Sequence, residues 1–343
     1  MALSLCTGCG ISRLGHYYAD KDLQVRLDGS PSRNLLIHYF GCGGMAIQHG
    51  ETLLMTDPFF SNFSLGSIAL KTIVGGNIQP KPTNIEYGLS RLPAGIDMED
   101  IKGVFISHAH YDHLLDVPWL FKYRWAAAPP KVYGSGTAAF ILSRFDLPPG
   151  RMVNVEPFMA DPHQDGQWIK ITPGVRVLPI KSHHAPHFLG IKLYAGENQS
   201  KFRKKPGSFK SKLNHWREGQ TLAYLFEFSD GDSVFNLFVQ TSASKIPMGL
   251  PTADVLKGRQ VDLAVLCVAS YNNVKGYPDH HLEQLRPKGT IFVHWEDFFR
   301  GYRKSKLRTV PGTNVKRFVE QVDKIYDGTF WLPAPGVTFD INY

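Results

Sequence analysis

The stretch Ile106-Ser-His-Ala-His-Tyr-Asp-His113 sets four metal-binding side chains within six residues, directly after an apolar run that ends at Phe105. Alternate residues of an extended segment leave the same face, so His108 and His110 can reach one ion. Asp112 and His113 follow where the chain turns into an expected helix, Leu114 to Tyr123, and from there they reach a neighbouring second ion. Imidazole nitrogen and carboxylate oxygen at this density suit Zn, Fe or Mn better than Ca or Mg, which take oxygen ligands. A single histidine here would read as a surface turn. The pattern H-x-H-x-D-H behind a strand does not.

The residues SHAHYDH resemble the signature of the metallo-β-lactamase-fold hydrolases. That resemblance implies an α/β chain with the four-layer αββα metallo-β-lactamase fold, two mixed β-sheets sandwiched between helices, with metals at one sheet edge. The wording Thr56-Asp-Pro-Phe-Phe-Ser-Asn62, a long connection and then VFISHAHYDHLLD resembles the phospholipase-D-type branch, which hydrolyses N-acyl phosphatidylethanolamines. The likeness is strongest over residues 35 to 125 and thins beyond them.

Composition bounds the rest. The chain has 343 residues, 43% hydrophobic and 20% charged, enough for one large domain or two ordinary ones. With no internal linker, one domain is expected over residues 34–343, behind an N-terminal arm, 1–33, rich in Gly, Ser and Asp. No run of roughly 18 apolar residues exists to span a bilayer. The net charge of +8 is concentrated in two places, seven Lys or Arg in Lys201 to Arg217 and five in Arg300 to Arg308. These are either solvated loops or a positive rim that attracts phosphate-bearing substrates or an anionic membrane surface, with Lys204 and Lys205 as substrate-binding residues.

Cys6, Cys9, Cys42 and Cys267 give no disulfide framework for a chain of this length, and Cys267 lies in an apolar run that points to simple burial. Leu5-Cys-Thr-Gly-Cys9 is similar to the end of a bacterial lipoprotein signal, which would make Cys9 a lipid acceptor and the protein envelope-anchored. The alternatives are a coincidental loop on a cytoplasmic protein and a lone Cys6-x-x-Cys9 metal or redox pair.

Along the chain, Leu35 to Phe40, Met45 to His49 and Thr52 to Thr56 read as strands between Gly-rich turns. Asp57 stands at the end of the third, where a carboxylate can hold a ligand imidazole in place. The resemblance also assigns it an orienting role. Ser61 to Asp100 is a long connection expected to cover the site, with Phe63, Leu65, Ile68, Leu70, Ile73 and Val74 either lining an apolar pocket or forming a docked helix. Lys131 to Gly134 and Met152 to Val155 read as strands around a helix, Thr137 to Phe145, and Trp168 to Ile180 as two strands about Pro173-Gly174. The following Lys181-Ser-His-His-Ala-Pro-His187 offers the third ligand of the first ion: His184 by similarity to the relatives, His183 as the alternative, with His187 left to hydrogen-bond substrate.

Thr221 to Phe228 and Ser233 to Gln240 form a hairpin around Asp230-Gly231. In the family an Asp after such a strand bridges the two metals, but no acid lies between Asp232 and Asp254 here. Two divalent ions bring four positive charges, so the shortage matters. Glu296, Asp297 and Asp279 are the candidate substitutes, although Asp279 reads better as the N-cap of a helix to Leu285. Gln240 or Ser242 offers only a neutral oxygen. His294, after the strand Thr290 to Val293, resembles the family's last ligand and joins Asp112 and His113. Val261 to Ala269 reads as a strand, Asn314 to Ile325 as an amphipathic helix and Gly336 to Ile341 as a last strand.

The expected activity is metal-dependent hydrolysis by a metal-bound hydroxide, with Asp112, His184 and Asp57 in the catalytic machinery and one or two ions, Zn first. A phosphodiester is the favoured bond and a small or lipid-like anion the favoured substrate. A lactonase or carboxyl-ester hydrolase of the same fold needs the same histidines. A member that lost catalysis with its bridging Asp is the third reading. Nucleic acid is disfavoured, because Gln240 to His294 is too short to hold an inserted nucleic-acid domain.

Overall fold

Along Asn34–Gly41 successive side chains enter different apolar clusters, Leu35, Ile37 and Tyr39 one of them and Phe40 another. That is the period-two split of a strand covered on both faces. The computed structural model describes residues 14–27, 34–187, 192–197, 202, 204–256, 258, 260–301 and 306–343. The Cys6 and Cys9 readings lie outside them, as do Lys201 and Arg203 of the first basic segment and Arg303 and Lys304 of the second.

The strands of the N-terminal half are β1 (Tyr18–Ala19), β2 (Leu23–Arg26), β3 (Asn34–Gly41), β4 (Gly44–His49) and β5 (Thr52–Thr56). Helix α1 (Leu65–Val74), β6 (Asn77–Ile78) and α2 (Pro82–Leu89) lead to β7 (Ile101–Phe105). Next come α3 (Tyr111–Leu114), α4 (Val117–Tyr123), β8 (Lys131–Gly134), α5 (Gly136–Ser143) and β9 (Met152–Asn154). The second half holds β10 (Ile169–Thr172), β11 (Val175–Ser182), β12 (Ser211–Lys212), β13 (Thr221–Asp230), β14 (Ser233–Gln240), α6 (Ala253–Leu256) and β15 (Leu263–Cys267). It closes with α7 (Asp279–Leu285), β16 (Gly289–Val293), α8 (Val315–Ile325), β17 (Thr329–Pro333) and β18 (Thr338–Asn342).

Two eight-stranded sheets result, ordered β2-β18-β3-β4-β5-β7-β8-β9 and β1-β17-β16-β15-β14-β13-β11-β10, with β12 and β6 paired apart from both. Each sheet is mixed: β3, β4 and β5 pair antiparallel while β5, β7 and β8 run parallel, and β11, β13 and β14 pair antiparallel before the parallel run β14 to β17. Between the sheets lies a cluster built by both, with Ile37, Met45, Leu54 and Phe105 from one and Val177, Phe226, Leu237 and Val265 from the other. A second cluster packs Val104, Leu114, Leu120 and Ile141 outside the first sheet, and a third packs Leu266, Phe292, Phe318 and Val322 outside the second. This is the expected αββα order, and each interface removes apolar surface from water.

Several local expectations are corrected. The arm over 1–33, whose Gly-, Ser- and Asp-rich sequence gives no strand pattern, contributes β1 beside β17 to one sheet and β2 beside β18 to the other. Those strands have two and four residues, too few to show a pattern. The helix expected over Leu114 to Tyr123 is broken into α3 and α4, with Pro118 in the first turn of α4, where its missing N–H costs nothing. Helix α1 buries Ile68, while Leu65, Leu70, Ile73 and Val74 are exposed on its outer side and do not line an internal pocket. Asp279 is the first residue of α7 and caps nothing; its carboxylate accepts from the Gln321 side chain. Among the described helices none is long and apolar enough to cross a membrane.

Candidate metal centre

The turn between β3 and β4 and the residues that follow β5, β7, β11, β14 and β16 converge at one edge of the sandwich. Ser107, just past β7, donates its N–H to Asp57 Oδ1 at 2.8 Å and its hydroxyl to Oδ2 at 2.7 Å. Thr241, just past β14, donates to the same Oδ2 at 2.8 Å. Asp116 accepts the backbone N–H groups of Phe60 and Ser61 at 2.7 and 2.9 Å, pinning the chain that leaves Asp57. A carboxylate from the break between α3 and α4 thus fixes the turn that places another carboxylate.

These bonds decide which imidazole nitrogens remain bare. With its proton committed to Asp57, the Ser107 hydroxyl accepts from His108 Nδ1 at 3.0 Å. His184 Nδ1 donates to the Ala185 carbonyl at 2.6 Å, and the His110 ring bonds the Tyr194 backbone. A neutral imidazole that donates through one nitrogen presents a lone pair on the other. His108 Nε2 and His110 Nε2 are buried without a hydrogen-bond partner among the described residues. One donor nitrogen from each of His108, His110 and His184 lies within 4.8 Å of the others. Burial first, and then the neighbouring rings, push all three well below the ordinary imidazole range, so they stand in the neutral, ligating form. A buried polar atom with no partner is costly, and a divalent cation satisfies both at once, with His184 as its third ligand.

A second set adjoins the first, the His108 and His113 ring centroids being 3.9 Å apart. It comprises Asp112, His113, His294 and Cys42. Asp57 Oδ2 is 3.1 Å from His113 Nδ1, which turns Nε2 of that ring towards Asp112 Oδ2 at 3.9 Å. Although burial opposes a charge on His113, Asp57 and Asp112 hold its pKa above the usual value, whereas burial pushes His294 down to about 3. Burial pushes the Cys42 thiol well above its usual range, and Asp112 and Glu296 add to the shift. These donors too fit a cation, with N, O and S atoms facing one another and a carboxylate among them.

The structure gathers His108, His110 and His184 in one set and Asp112, His113 and His294 in the other, with Asp57 bonded behind His113. His183 is exposed and enters neither set, and its backbone N–H donates to Ser244 Oγ at 3.1 Å. His187 stacks on His184 at 4.6 Å, and its Nδ1 accepts the Leu193 N–H, which leaves Nε2 as a donor. Lys204 is not brought to the histidines. Its ammonium lies 3.9 Å from Asp146 and 4.9 Å from the Phe145 ring centroid, because burying its stem there removes apolar surface and leaves the charge paired. Lys205 is exposed.

None of the acids named as substitutes for the bridging Asp enters either donor set. Glu296 is fully buried and accepts from Tyr39 Oη at 2.8 Å and from the Cys42 N–H at 2.6 Å, Asp297 accepts from the Phe299 N–H, and Asp279 bonds Gln321. The Gln240 amide nitrogen bonds the Gly249 carbonyl, and the Ser242 hydroxyl accepts the Ala185 N–H. Sequence reasoning missed Cys42, and it missed Glu218, whose buried carboxylate takes the His184 N–H and pairs with Lys192 at 3.6 Å. The signal available for Cys42 was a cysteine amid glycines at the tip of a strand.

Comparison with known proteins agrees with this architecture. The family model described as the Beta-lactamase superfamily domain matches residues 80–235, a span that holds His108 to His113 and His184. No curated protein sequence matches the chain. Among solved structures, the metallo-beta-lactamase fold protein YhfI from Bacillus subtilis superposes with a TM-score of 0.50 at 11% identity, covering 90% of this chain and 100% of that one. Igni18, a metallo hydrolase from the archaeon Ignicoccus hospitalis, gives 0.49 at 12% identity, with 90% and 99% covered. CmlA, a diiron β-hydroxylase from Streptomyces venezuelae, gives 0.48 at 15% identity, with 92% and 55% covered. The chain has the metallo-β-lactamase fold.

Proposed function

We propose that this chain is a metal-dependent hydrolase acting on phosphodiesters of anionic, lipid-like substrates, as in the phospholipase-D-like branch its motifs resemble. The observation that carries the reading is the pair of adjoining donor sets, joined by the 3.9 Å contact of the His108 and His113 rings. His108, His110 and His184 would hold one divalent ion, and Asp112, His113 and His294 the other. Ions so held supply Lewis acidity and lower the pKa of a bound water towards neutrality.

The chain's own residues do the rest. Asp57 keeps His113 oriented, and Ser107 sets the His108 tautomer through the same carboxylate. His187 supplies an Nε2 donor beside the first set for a substrate oxygen. With Asp112 the one carboxylate in the two sets, a site holding two ions keeps a positive excess that favours an anionic ester. A lipid-like substrate is supported by α1, whose exposed Leu70 and Ile73 share a helix with Thr72, the acceptor of the Tyr194 hydroxyl. The same Tyr194 bonds His110 through its backbone, so the apolar face is tied to the site.

The test is turnover of bis-p-nitrophenyl phosphate, of an N-acyl phosphatidylethanolamine in detergent micelles, and of a simple lactone, after loading with Zn, Mn or Fe. Phosphodiester turnover that drops at least ~100-fold in His110→Ala supports the proposal. Lactone turnover alone would transfer the site to carboxyl esters, and no turnover with any ion would overturn the hydrolase.

A further inference from the structure

We infer that Cys42 is a thiolate ligand of the second ion and supplies the negative charge that the absent acid after β14 would have provided. The inference rests on the metal-binding part of the function proposed above and concerns a residue outside its histidine and aspartate ligands.

Cys42 is fully buried at the tip of the β3–β4 turn, with its N–H donated to Glu296 Oε1 at 2.6 Å. Anchored there, the side chain places Sγ 3.5 Å from His294 Nε2 and 3.8 Å from Asp112 Oδ2. Asp112 Oδ2 is also 3.9 Å from His113 Nε2 and 3.9 Å from His294 Nε2. The carboxylate is too far from either ring to hydrogen-bond it, yet the four donor atoms all lie within 4.8 Å of one another. Ligands at ~2.0–2.3 Å from a tetrahedral ion stand roughly 3.3–3.8 Å apart; the two thiol distances, 3.5 and 3.8 Å, fall in that range, and the two carboxylate–imidazole distances, 3.9 Å each, lie just beyond it.

The turn is shaped for this approach. Gly43 has φ +85°, and a Cβ on it would stand 2.8 Å from Thr241 Cβ; one on Gly44 would stand 2.7 Å from the Asp57 carbonyl oxygen. Only glycines on this side let the turn lie against both neighbours, and Cys42 itself takes φ +54° between Gly41 and Gly43. The chain that leaves β14 therefore meets the Cys42 turn where the family's acid would stand. On ligation the thiol releases its proton to solvent and Sγ donates an electron pair to the ion. Asp112 and Cys42 then offset two of the four positive charges of two divalent ions, and a thiolate–carboxylate–bis-imidazole set favours Zn or another thiophilic ion over Mg or Ca.

Cobalt(II) tests this without reference to turnover. Loaded with about two cobalt ions, the full chain should show a near-ultraviolet sulfur-to-cobalt charge-transfer band. Cys42→Ser should lose that band and fall to about one ion per chain after dialysis, while Cys267→Ser, which changes the other buried thiol among the described residues, should keep both. X-ray absorption at the zinc edge of the unaltered protein should show sulfur at ~2.3 Å, a readout that does not depend on how the variants fold. Two bound ions with no sulfur scatterer, or a band that survives Cys42→Ser, would overturn the thiolate while leaving the hydrolase standing. Failure to bind any divalent ion would remove both.

Discussion

Asp57 and His113 lie 3.1 Å apart, Oδ2 to Nδ1, with both side chains 1% exposed. The same oxygen accepts from the Ser107 and Thr241 hydroxyls, so one carboxylate from the end of β5 ties together chain leaving β7 and β14. Asp57→Asn keeps the shape but cannot accept all these donors. Its amide nitrogen, wherever it turns, faces a donor or forfeits an acceptor. Metal affinity at the second set is expected to fall ~10–100-fold, measured by competition with a chromophoric chelator, while far-ultraviolet circular dichroism stays that of the wild type. An unchanged affinity would mean that packing alone orients His113.

Tyr39 makes a different kind of brace. Its hydroxyl donates to Glu296 Oε2 at 2.8 Å and accepts the His294 N–H at 2.9 Å, while the other Glu296 oxygen holds the Cys42 N–H. The end of β3 is thereby coupled to the residue after β16, across a separation of 255 positions. Tyr39→Phe keeps the ring but leaves a buried carboxylate oxygen and a buried N–H each short of a partner. The expected loss is about 1–3 kcal/mol in urea denaturation, with weaker retention of the second ion on dialysis. A variant equal to wild type in both would show that Glu296 needs no donor from Tyr39.

These braces also explain how far the sequence could be read. His108, His110, Asp112 and His113 are neighbours in the chain, so their spacing alone announces a metal. β3, β4, β5, β8, β13 and β14 stand within one or two residues of expectation, because period-two patterning and Gly-rich turns are local. Cys42 is 70 positions from Asp112 and 252 from His294, and its one local mark, a cysteine amid glycines at a strand tip, does not say which residues it meets. Lys204 is the converse case, a charge legible in the sequence whose contacts are not. A run of like charges suggests a rim, but one long side chain can lie down on a ring, as Lys204 does on Phe145. The break between α3 and α4 also escaped, since the apolar pattern runs on through Pro118.

Buried histidines away from the metal edge give the chain a pH dependence of its own. His281 on α7 is 0% exposed, packs edge-on against Tyr277 with centroids 4.9 Å apart, and has no hydrogen-bond partner on either ring nitrogen among the described residues. Burial pushes its pKa down to about 3. Above the ordinary imidazole pKa both folded and unfolded chains carry a neutral ring, and the group adds no pH dependence. As pH falls through ~6.5 the unfolded chain takes up a proton that the folded chain refuses, so stability drops steadily until about pH 3. Between pH 7 and pH 5 that amounts to about 2 kcal/mol from this residue. His281→Leu keeps the apolar contact with Tyr277 and removes the titration. Its urea stability should therefore be at least that of the wild type at pH 7, and should fall by about 2 kcal/mol less on going to pH 5. Parallel pH profiles for the two proteins would show instead that the folded chain protonates His281 as readily as the unfolded one does.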